Sequence, residues 1–502
     1  MILTPEQVQE VERRAISGGA SEETLMEEAG AKMARVISDF FPKPGHCIAV
    51  FGKGHNGGDA LIVARILSEC GWQVTLLPVF ERARWSELTR KKWDQAGRCT
   101  TSESQSFPDT YHIPNSPLII LDGILGIGST VPLSNLISDL CRKINALREQ
   151  SNAQTIAIDL PTGLNGKTGE TDPNAIIADL TLTVGFAKTG MLADGAEHFV
   201  GRIALLPLAG FTSVIKPGDA DLSSVNTSES LRGLWRRRSA SSHKGSFGRV
   251  LLIAGGIGTV GAAALAARGA LRAGAGLVTL VVPRNIYNQA CAITPAECMV
   301  RPVEDLRDAL RFRADSLGIG PGLGLIDEQQ ILETVRDFTG PAVVDADALN
   351  MIATLGNSIL PECAGPRLLT PHPGEMQRLF SESSSFSRRA LVEHFTSRYP
   401  VTLLLKGART IIGERGGRVS YNSTGNAGMA CGGMGDVLTG VCAALLAQGL
   451  SCMSAAQLGS WLCGRSAEVL VSSGRQSMES LLPTDVAGGL GAAFESLREG
   501  IL

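Results

Sequence analysis

The apolar residues of this chain gather into short unbroken runs separated by helix-like stretches. Up to about residue 210 the runs are "CIAVFG", "QVTLLPV", "LIILDG", "TIAIDL", "LTLTVGF" and "RIALLPL". Runs of this length without polar alternation predict strands buried on both faces, hence a mainly parallel sheet with flanking helices. The texture changes at residues 211–230, "FTSVIKPGDADLSSVNTSES", which are polar and include Pro217 and Gly218. Such a stretch reads as a boundary. A second alternating series begins at "GRVLLIAGG" and continues through "LVTLVV", "SLGIG", "AVVDAD", "RLLTP" and "VTLLLKG". No short period relates the two series. The pattern predicts two α/β domains, at 1–215 and 239–502, joined by a linker at 216–238.

Composition supports this division and excludes several classes. The 58 glycines, 44% apolar content and 5% aromatic content suit an α/β enzyme with many tight strand-to-helix turns. A formal charge of -3 provides no field to gather nucleic acid or anionic lipid, and the basic run "WRRR" ending at Arg238 reads as solvated linker. The first twenty residues lack an apolar signal-like core, and Arg268 and Arg272 interrupt the best candidate for an apolar span. A soluble, cytoplasmic chain with no membrane or nucleic-acid partner is expected. The 11 cysteines form no C-x-x-C pair and read as reduced, buried thiols, and the 7 histidines show no ligand spacing.

Candidate chemistry in the first domain centres on "GKGHNGGDA", residues 52–60. Gly52, Gly54 and Gly57 satisfy G-x-G-x-x-G, yet a dinucleotide site would put pyrophosphate on a helix N-terminus where Asp59 is expected to place negative charge in the first turn. Asp122 and Asp159 each close an apolar run, and strand ends of this kind surround the ligand crevice of an open α/β sheet. Gly54, Asn56, Asp59, Asp122, Asp159 and Thr162 are therefore expected at one edge; the alternative is that each aspartate caps a turn. Oxygens from Asn56, Asp122 and Thr162 suit a hard cation.

In the second domain, Gly256, Gly258 and Gly261 repeat the literal glycine pattern, which close helix packing explains as well as dinucleotide binding does. The stronger signal is "GNAGMACGGMGDVLTG". There Gly432, Gly433 and Gly435 precede Asp436 and an apolar helix, so backbone N–H groups can face an anion while Asp436 takes a proton from a hydroxyl attacking a phosphoryl group. Lys406 ends another apolar run and suits diphosphate as a point charge. His372 and Glu375 lie in "TPHPGE", where flanking prolines favour a fixed, ligand-facing imidazole.

The segments "MEEAG", "GKGHNGGDA", "LDGILGIG", "DLPTGLNG" and "ADLTLTVGFAKTG" resemble the NAD(P)H-hydrate epimerase domain over nearly all of residues 1–210. The resemblance implies a Rossmann-like three-layer α/β/α fold and a potassium ion held by Asn56, Asp122 and Thr162. It implies that His55, Asn56, Gly57, Gly58 and Asp59, with the loop Gly126, Ile127, Gly128, Ser129, Thr130, Val131 and Pro132, lie against the hydrated nucleotide, and that Asp159 is the acid/base. This chain departs from the family pattern at His55 for asparagine, Ala60 for glycine, Gly123 for alanine and Thr162 for serine.

The segments "HKGSFG", "RAGAGLVT", "GIGPGLG", "VVDADALN", "TPHPGE", "LKGA" and "GNAGMACGGMGDVLTG" are similar to the ADP-dependent NAD(P)H-hydrate dehydratase, a ribokinase-like three-layer α/β/α domain, over residues 240–490. That resemblance implies that Ala275, Gly322, His372 and Asp436 contact the hydrated dinucleotide. Lys406, Gly407, Ala408, Arg409, Thr410 and Gly435 would contact ADP, which enters with Mg2+. Together the two resemblances imply a bifunctional repair enzyme that epimerises hydrated NADH and NADPH and dehydrates the S form, in a self-associating chain. The alternative is a ribokinase-type small-molecule kinase carrying a degenerate N-terminal binding or oligomerisation module; "TPHPGE" and "GNAGMA" argue against the kinase.

Overall fold

All six apolar runs of the N-terminal half are strands in the computed structural model, which describes residues 1–96, 102–103, 116–129, 131–216, 223–235, 237–324 and 326–501. The chain divides into two compact units, Met1–Asp221 and Leu222–Ile501. The first contains β1 (Ile2–Leu3), β2 (His46–Phe51), β3 (Gln73–Pro78), β4 (Ser102–Glu103), β5 (Leu118–Gly123), β6 (Gln154–Ile158), β7 (Leu180–Val184), β8 (Ala187–Lys188) and β9 (Arg202–Leu206). Seven of them form one sheet in the order β4-β3-β2-β5-β6-β7-β9, parallel throughout. The chain builds to one side of β2 and then returns to its other side. The order thus reverses between β2 and β5, where the strand C-termini open a crevice.

Helices cover both faces of this sheet because their apolar residues fall on one stripe. Ile137, Cys141, Ile144 and Leu147 of helix Asn135–Ser151 pack on one side with Ile48, Val50 and Ile120. Met33 and Ile37, with Leu61 and Val63 of helix His55–Glu69, join a separate cluster with Ala49 and Phe51. Each such buried side chain contributes roughly 1.5–3 kcal/mol. β1 and β8 pair apart from the main sheet, with Leu3 in register with Lys188.

The second unit contains β10 (Ser224–Asn226), β11 (Arg249–Ile253), β12 (Leu277–Pro283), β13 (Met299–Val303), β14 (Ser316–Ile319), β15 (Ala342–Val344), β16 (Arg367–Leu369), β17 (Thr402–Leu405), β18 (Ile411–Glu414) and β19 (Arg418–Asn422). They form one sheet in the order β10-β19-β18-β17-β16-β15-β14-β11-β12-β13, in which only β18 runs antiparallel to its neighbours. β14 and β17 are buried at every residue, as strands covered on both faces must be.

Three expectations change. Residues 224–232, read as linker, form the edge strand β10 and helix Ser228–Arg232; Val225 and Leu231 are buried, while an edge strand tolerates the polar residues between them. Cysteines 47, 141, 298, 442, 452 and 463 are buried, but Cys70, Cys291 and Cys431 are exposed. Asp59 is the fifth residue of helix His55–Glu69, beyond its first turn. Among the described residues no helix is long and apolar enough to cross a membrane.

Candidate functional site

Asp122, the penultimate residue of β5, is fully buried and ties together the loops beside the first crevice. Its Oδ1 accepts from Thr162 Oγ1 at 2.7 Å and from the Ile124 N–H at 3.3 Å, and its Oδ2 accepts from the Thr162 N–H at 2.7 Å. Thr162 Oγ1 accepts in turn from the Leu125 N–H at 3.1 Å, and the Leu125 carbonyl accepts from Asn56 Nδ2 at 3.1 Å. Among the described residues Asn56 Oδ1 accepts no hydrogen bond. Burial pushes the Asp122 carboxyl up to about 6, against the opposing hydrogen bonds. Asp122 and Thr162 are thus in direct contact, and Asn56 joins them through the Leu125 backbone. In the neighbouring loop, Gly126 lies against the Asn56 amide and Ser129 Oγ is buried with no hydrogen-bond partner among the described residues. Ile127 and Gly128 continue this loop toward Val131 and Pro132, and Thr130 lies outside the described residues.

Asp159 follows β6 with φ +65, a left-handed conformation uncommon for a residue other than glycine. Its Oδ1 accepts from Lys188 Nζ, from the Val184 N–H at 3.2 Å and from Thr183 Oγ1 at 3.3 Å. Lys188 is buried, and β8 places it there. Desolvation, followed by the charges of Asp159 and Glu12, holds the Asp59 carboxyl well above the usual range, with Lys188 opposing. Desolvation also raises Glu12. Asp159 is thus paired with the Lys188 ammonium, and the Asp59 and Glu12 carboxyls lie close enough to feel both charges. Lys188→Met leaves Asp159 with no cation and should destabilise the chain by about 3–5 kcal/mol in chemical denaturation.

The glycines of "GKGHNGGDA" also have close neighbours within the protein. A Cβ on Gly57 would stand 2.2 Å from the Gly52 carbonyl oxygen, and one on Gly58 would stand 2.8 Å from Met26 Sδ, so both serve internal packing. His55 opens the helix half-exposed, with Nε2 3.2 Å from Glu22 Oε1. Two departures from the family pattern meet in space: a Cβ on Gly123 would stand 2.4 Å from Ala60 Cβ. Gly123→Ala alone should cost about 1–3 kcal/mol by overpacking. Adding Ala60→Gly should recover most of that loss, as a double-mutant cycle of melting curves would reveal.

In the second unit, helix Met434–Ala447 starts after Gly433 (φ +96), and Asp436 lies in its first turn. The Asp436 carboxylate is half-buried and receives no hydrogen bond from the protein among the described residues. Desolvation, then the Asp345 charge, push it up to about 7, with Lys406 opposing and Asp347 and Glu375 adding smaller contributions. Lys406 follows β17; its Nζ donates to Asp345 Oδ1 at 2.7 Å and lies 3.7 Å from Glu375 Oε2. Burial disfavours that ammonium, but Asp345 and Glu375 outweigh it and raise its pKa. A Cβ on Gly435 would stand 3.2 Å from Lys406 Nζ, so the glycine lets the loop lie against the ammonium.

His372 caps helix Pro373–Leu379: Nδ1 accepts from the N–H groups of Gly374 at 3.0 Å and Glu375 at 3.3 Å. In the neutral ring the proton therefore sits on Nε2, 3.4 Å from Glu375 Oε1. Gly322, in the loop after β14, accepts from Thr259 Oγ1 at 2.7 Å. Gly407 and Ala408 are exposed beside the buried Arg409, and Thr410 Oγ1 donates to the Gly407 carbonyl at 3.3 Å. Ala275 does not join this group. It follows helix Val260–Arg272 and precedes β12, and a helix of that length, about 20 Å, carries the chain to the opposite edge of the sheet.

Residues 22–190 match the family model described as YjeF-related protein N-terminus, and residues 250–487 match that of NAD(P)H-hydrate dehydratase. The bifunctional NAD(P)H-hydrate repair enzyme Nnr of Moorella thermoacetica is 33% identical over 95% of this chain and 93% of its own length. The enzyme of the same name from Escherichia coli is 34% identical over 92% of this chain and 87% of its own. The chain belongs to the bifunctional NAD(P)H-hydrate repair enzyme family. A crystal structure of the ADP/ATP-dependent NAD(P)H-hydrate dehydratase of Bacillus subtilis is 29% identical, covering 55% of this chain and 98% of its own at a TM-score of 0.49.

Within this repair-enzyme chain, two charged residues to which the motifs assign no role stand at the centre of the clusters. Lys188 is a lone lysine in the apolar segment "TVGFAKTG", the one sequence signal that could have marked it. Asp345 lies inside "VVDADALN", and only the structure shows which of its two aspartates meets Lys406.

Proposed function

We propose that this chain repairs hydrated NADH and NADPH, the first unit interconverting the R and S epimers and the second dehydrating the S form at the expense of ADP. The observation that carries this reading is the Asp436 carboxylate, which among the described residues receives no protein hydrogen bond, at a glycine-rich helix start whose Gly435 lies against the Lys406 ammonium. Asp436 accepts the proton of the ring hydroxyl, whose oxygen attacks the terminal phosphorus of ADP while the bond to AMP breaks. The phosphorylated oxygen then leaves as phosphate, the neighbouring ring carbon gives up a proton, and the ring double bond returns. Lys406 offers charge to the phosphates, and Gly322 and His372 line the dinucleotide side. Mg2+ would enter with ADP and would supply charge neutralisation to its phosphates.

In the first unit Asp159 passes a proton to and from the ring hydroxyl as it departs and returns on either face, and Lys188 holds the carboxylate in place. Residues 55–59 and the loop from Gly126 to Pro132 bind the nucleotide. Asn56 Oδ1, the Asp122 carboxylate and Thr162 Oγ1 fit a potassium ion, since all are oxygen donors and, among the described residues, the buried carboxylate has no cationic partner. Bound there, the ion would supply charge compensation to Asp122.

One assay tests the reading. The protein is given mixed epimers of hydrated NADH with ADP and Mg2+, and regenerated NADH is followed by absorbance. Both epimers should be consumed with release of AMP and phosphate. Recovery confined to the S form would remove the epimerase assignment, and no ADP-dependent recovery would remove the dehydratase.

A further inference from the structure

Asp345 stands where an aspartate ordinarily caps a helix. It precedes helix Ala346–Thr354 with extended backbone, yet its side chain makes no capping hydrogen bond. The carboxylate is diverted. Oδ1 accepts from Lys406 Nζ at 2.7 Å and Oδ2 from Thr439 Oγ1 at 2.8 Å, in a side chain only 2% exposed. The backbone is shaped for this: Ala346 has φ +50, and the Asp345 carbonyl oxygen lies 1.8 Å from where a Cβ of Gly320 would be. A conformation uncommon outside glycine, together with the loss of a helix cap, is retained for one buried ion pair.

The alternative partner for Lys406 is close at hand. Asp436 lies one residue beyond Gly435, whose Cβ would stand 3.2 Å from Lys406 Nζ and 3.5 Å from Asp345 Oδ2. If the ammonium paired with Asp436, it would hold the base ionised but weak and turn away from incoming phosphate. We propose that Asp345 is a positioning residue of the dehydratase site, which fixes the Lys406 ammonium against the Gly435 loop to receive the ADP phosphates and keeps it from pairing with Asp436. Glu375 supports the same ammonium from the helix after β16, and Asp347 and His372 are the other titratable groups of the cluster.

The proposal rests on the dehydratase reading, and its test separates the two. Asp345→Asn keeps size and removes charge. The variant should show a KM for ADP raised about tenfold, a kcat lowered at least about tenfold, and a rising limb of the kcat–pH profile displaced about one unit toward acid, because the Asp345 charge no longer raises Asp436 and Lys406 is free to turn to it. Thr439→Val keeps the Asp345 charge but releases its orientation; KM for ADP should rise about threefold with the limb in place. A folded Asp345→Asn protein with unmoved KM and unmoved limb would overturn the proposal. If that variant does not fold, an unchanged KM in Thr439→Val overturns it. Wild-type protein that regenerates no NADH with ADP would instead overturn the dehydratase reading, and this proposal with it.

Discussion

Asp436→Asn should lower ADP-dependent NADH regeneration about 10²–10⁴-fold, because the amide keeps the shape but cannot accept the hydroxyl proton. Two controls distinguish this from damage to the fold. The wild-type rate should rise with pH through about 7, the position to which desolvation and Asp345 push this carboxyl, since only the ionised form is a base. The linkage to stability has the opposite sign. A carboxyl whose folded pKa exceeds its unfolded value of about 3.9 binds more protons when folded, so it lowers stability as pH rises from about 4 to 7. The asparagine variant escapes that loss. Its melting temperature at pH 8 should equal or exceed that of wild type, while activity falls. Regeneration at a near wild-type rate would remove Asp436 from the mechanism.

How much of this was legible in the sequence depended on whether a feature is local. The unbroken apolar runs are buried parallel strands because strands covered on both faces have no polar side, and a single chain displays that plainly. The edge strand β10 is hidden for the converse reason: with one neighbour and a half-polar environment, "SVN" has no pattern to read. The glycines at 57 and 58 suggested ligand approach, and only the structure shows Gly52 and Met26 against them. Ala275 sat in a matching motif, but a complete helix separates it from the strand ends that bear the site. Lys188 and Asp345 are defined by partners 29 and 61 residues away, so no spacing rule could find them.

The ion site offers the second large effect. Asp122 carries the formal charge among the three converging oxygens, and its ionised form also receives three protein hydrogen bonds. Asp122→Ala leaves those donors unsatisfied and should cost about 2–5 kcal/mol in stability, so Asp122→Asn, which keeps an acceptor, is the cleaner probe. For wild type, added potassium should raise the melting temperature by mass action, because an ion that binds only the folded chain stabilises it. The effect should weaken as pH falls, because burial already favours the neutral form of Asp122 and protonation competes with the ion. In Asp122→Asn the potassium effect should vanish, and epimer exchange followed by proton NMR should drop to the rate in buffer. Dehydration of the S form should continue, since the second unit has its own core. A melting temperature equally sensitive to potassium in the asparagine variant, or exchange in wild type that ignores potassium, would sink the ion site. The first outcome would place the ion elsewhere; the second would leave Asp122 as a tie between loops, with Asp159 and Lys188 performing the exchange without it.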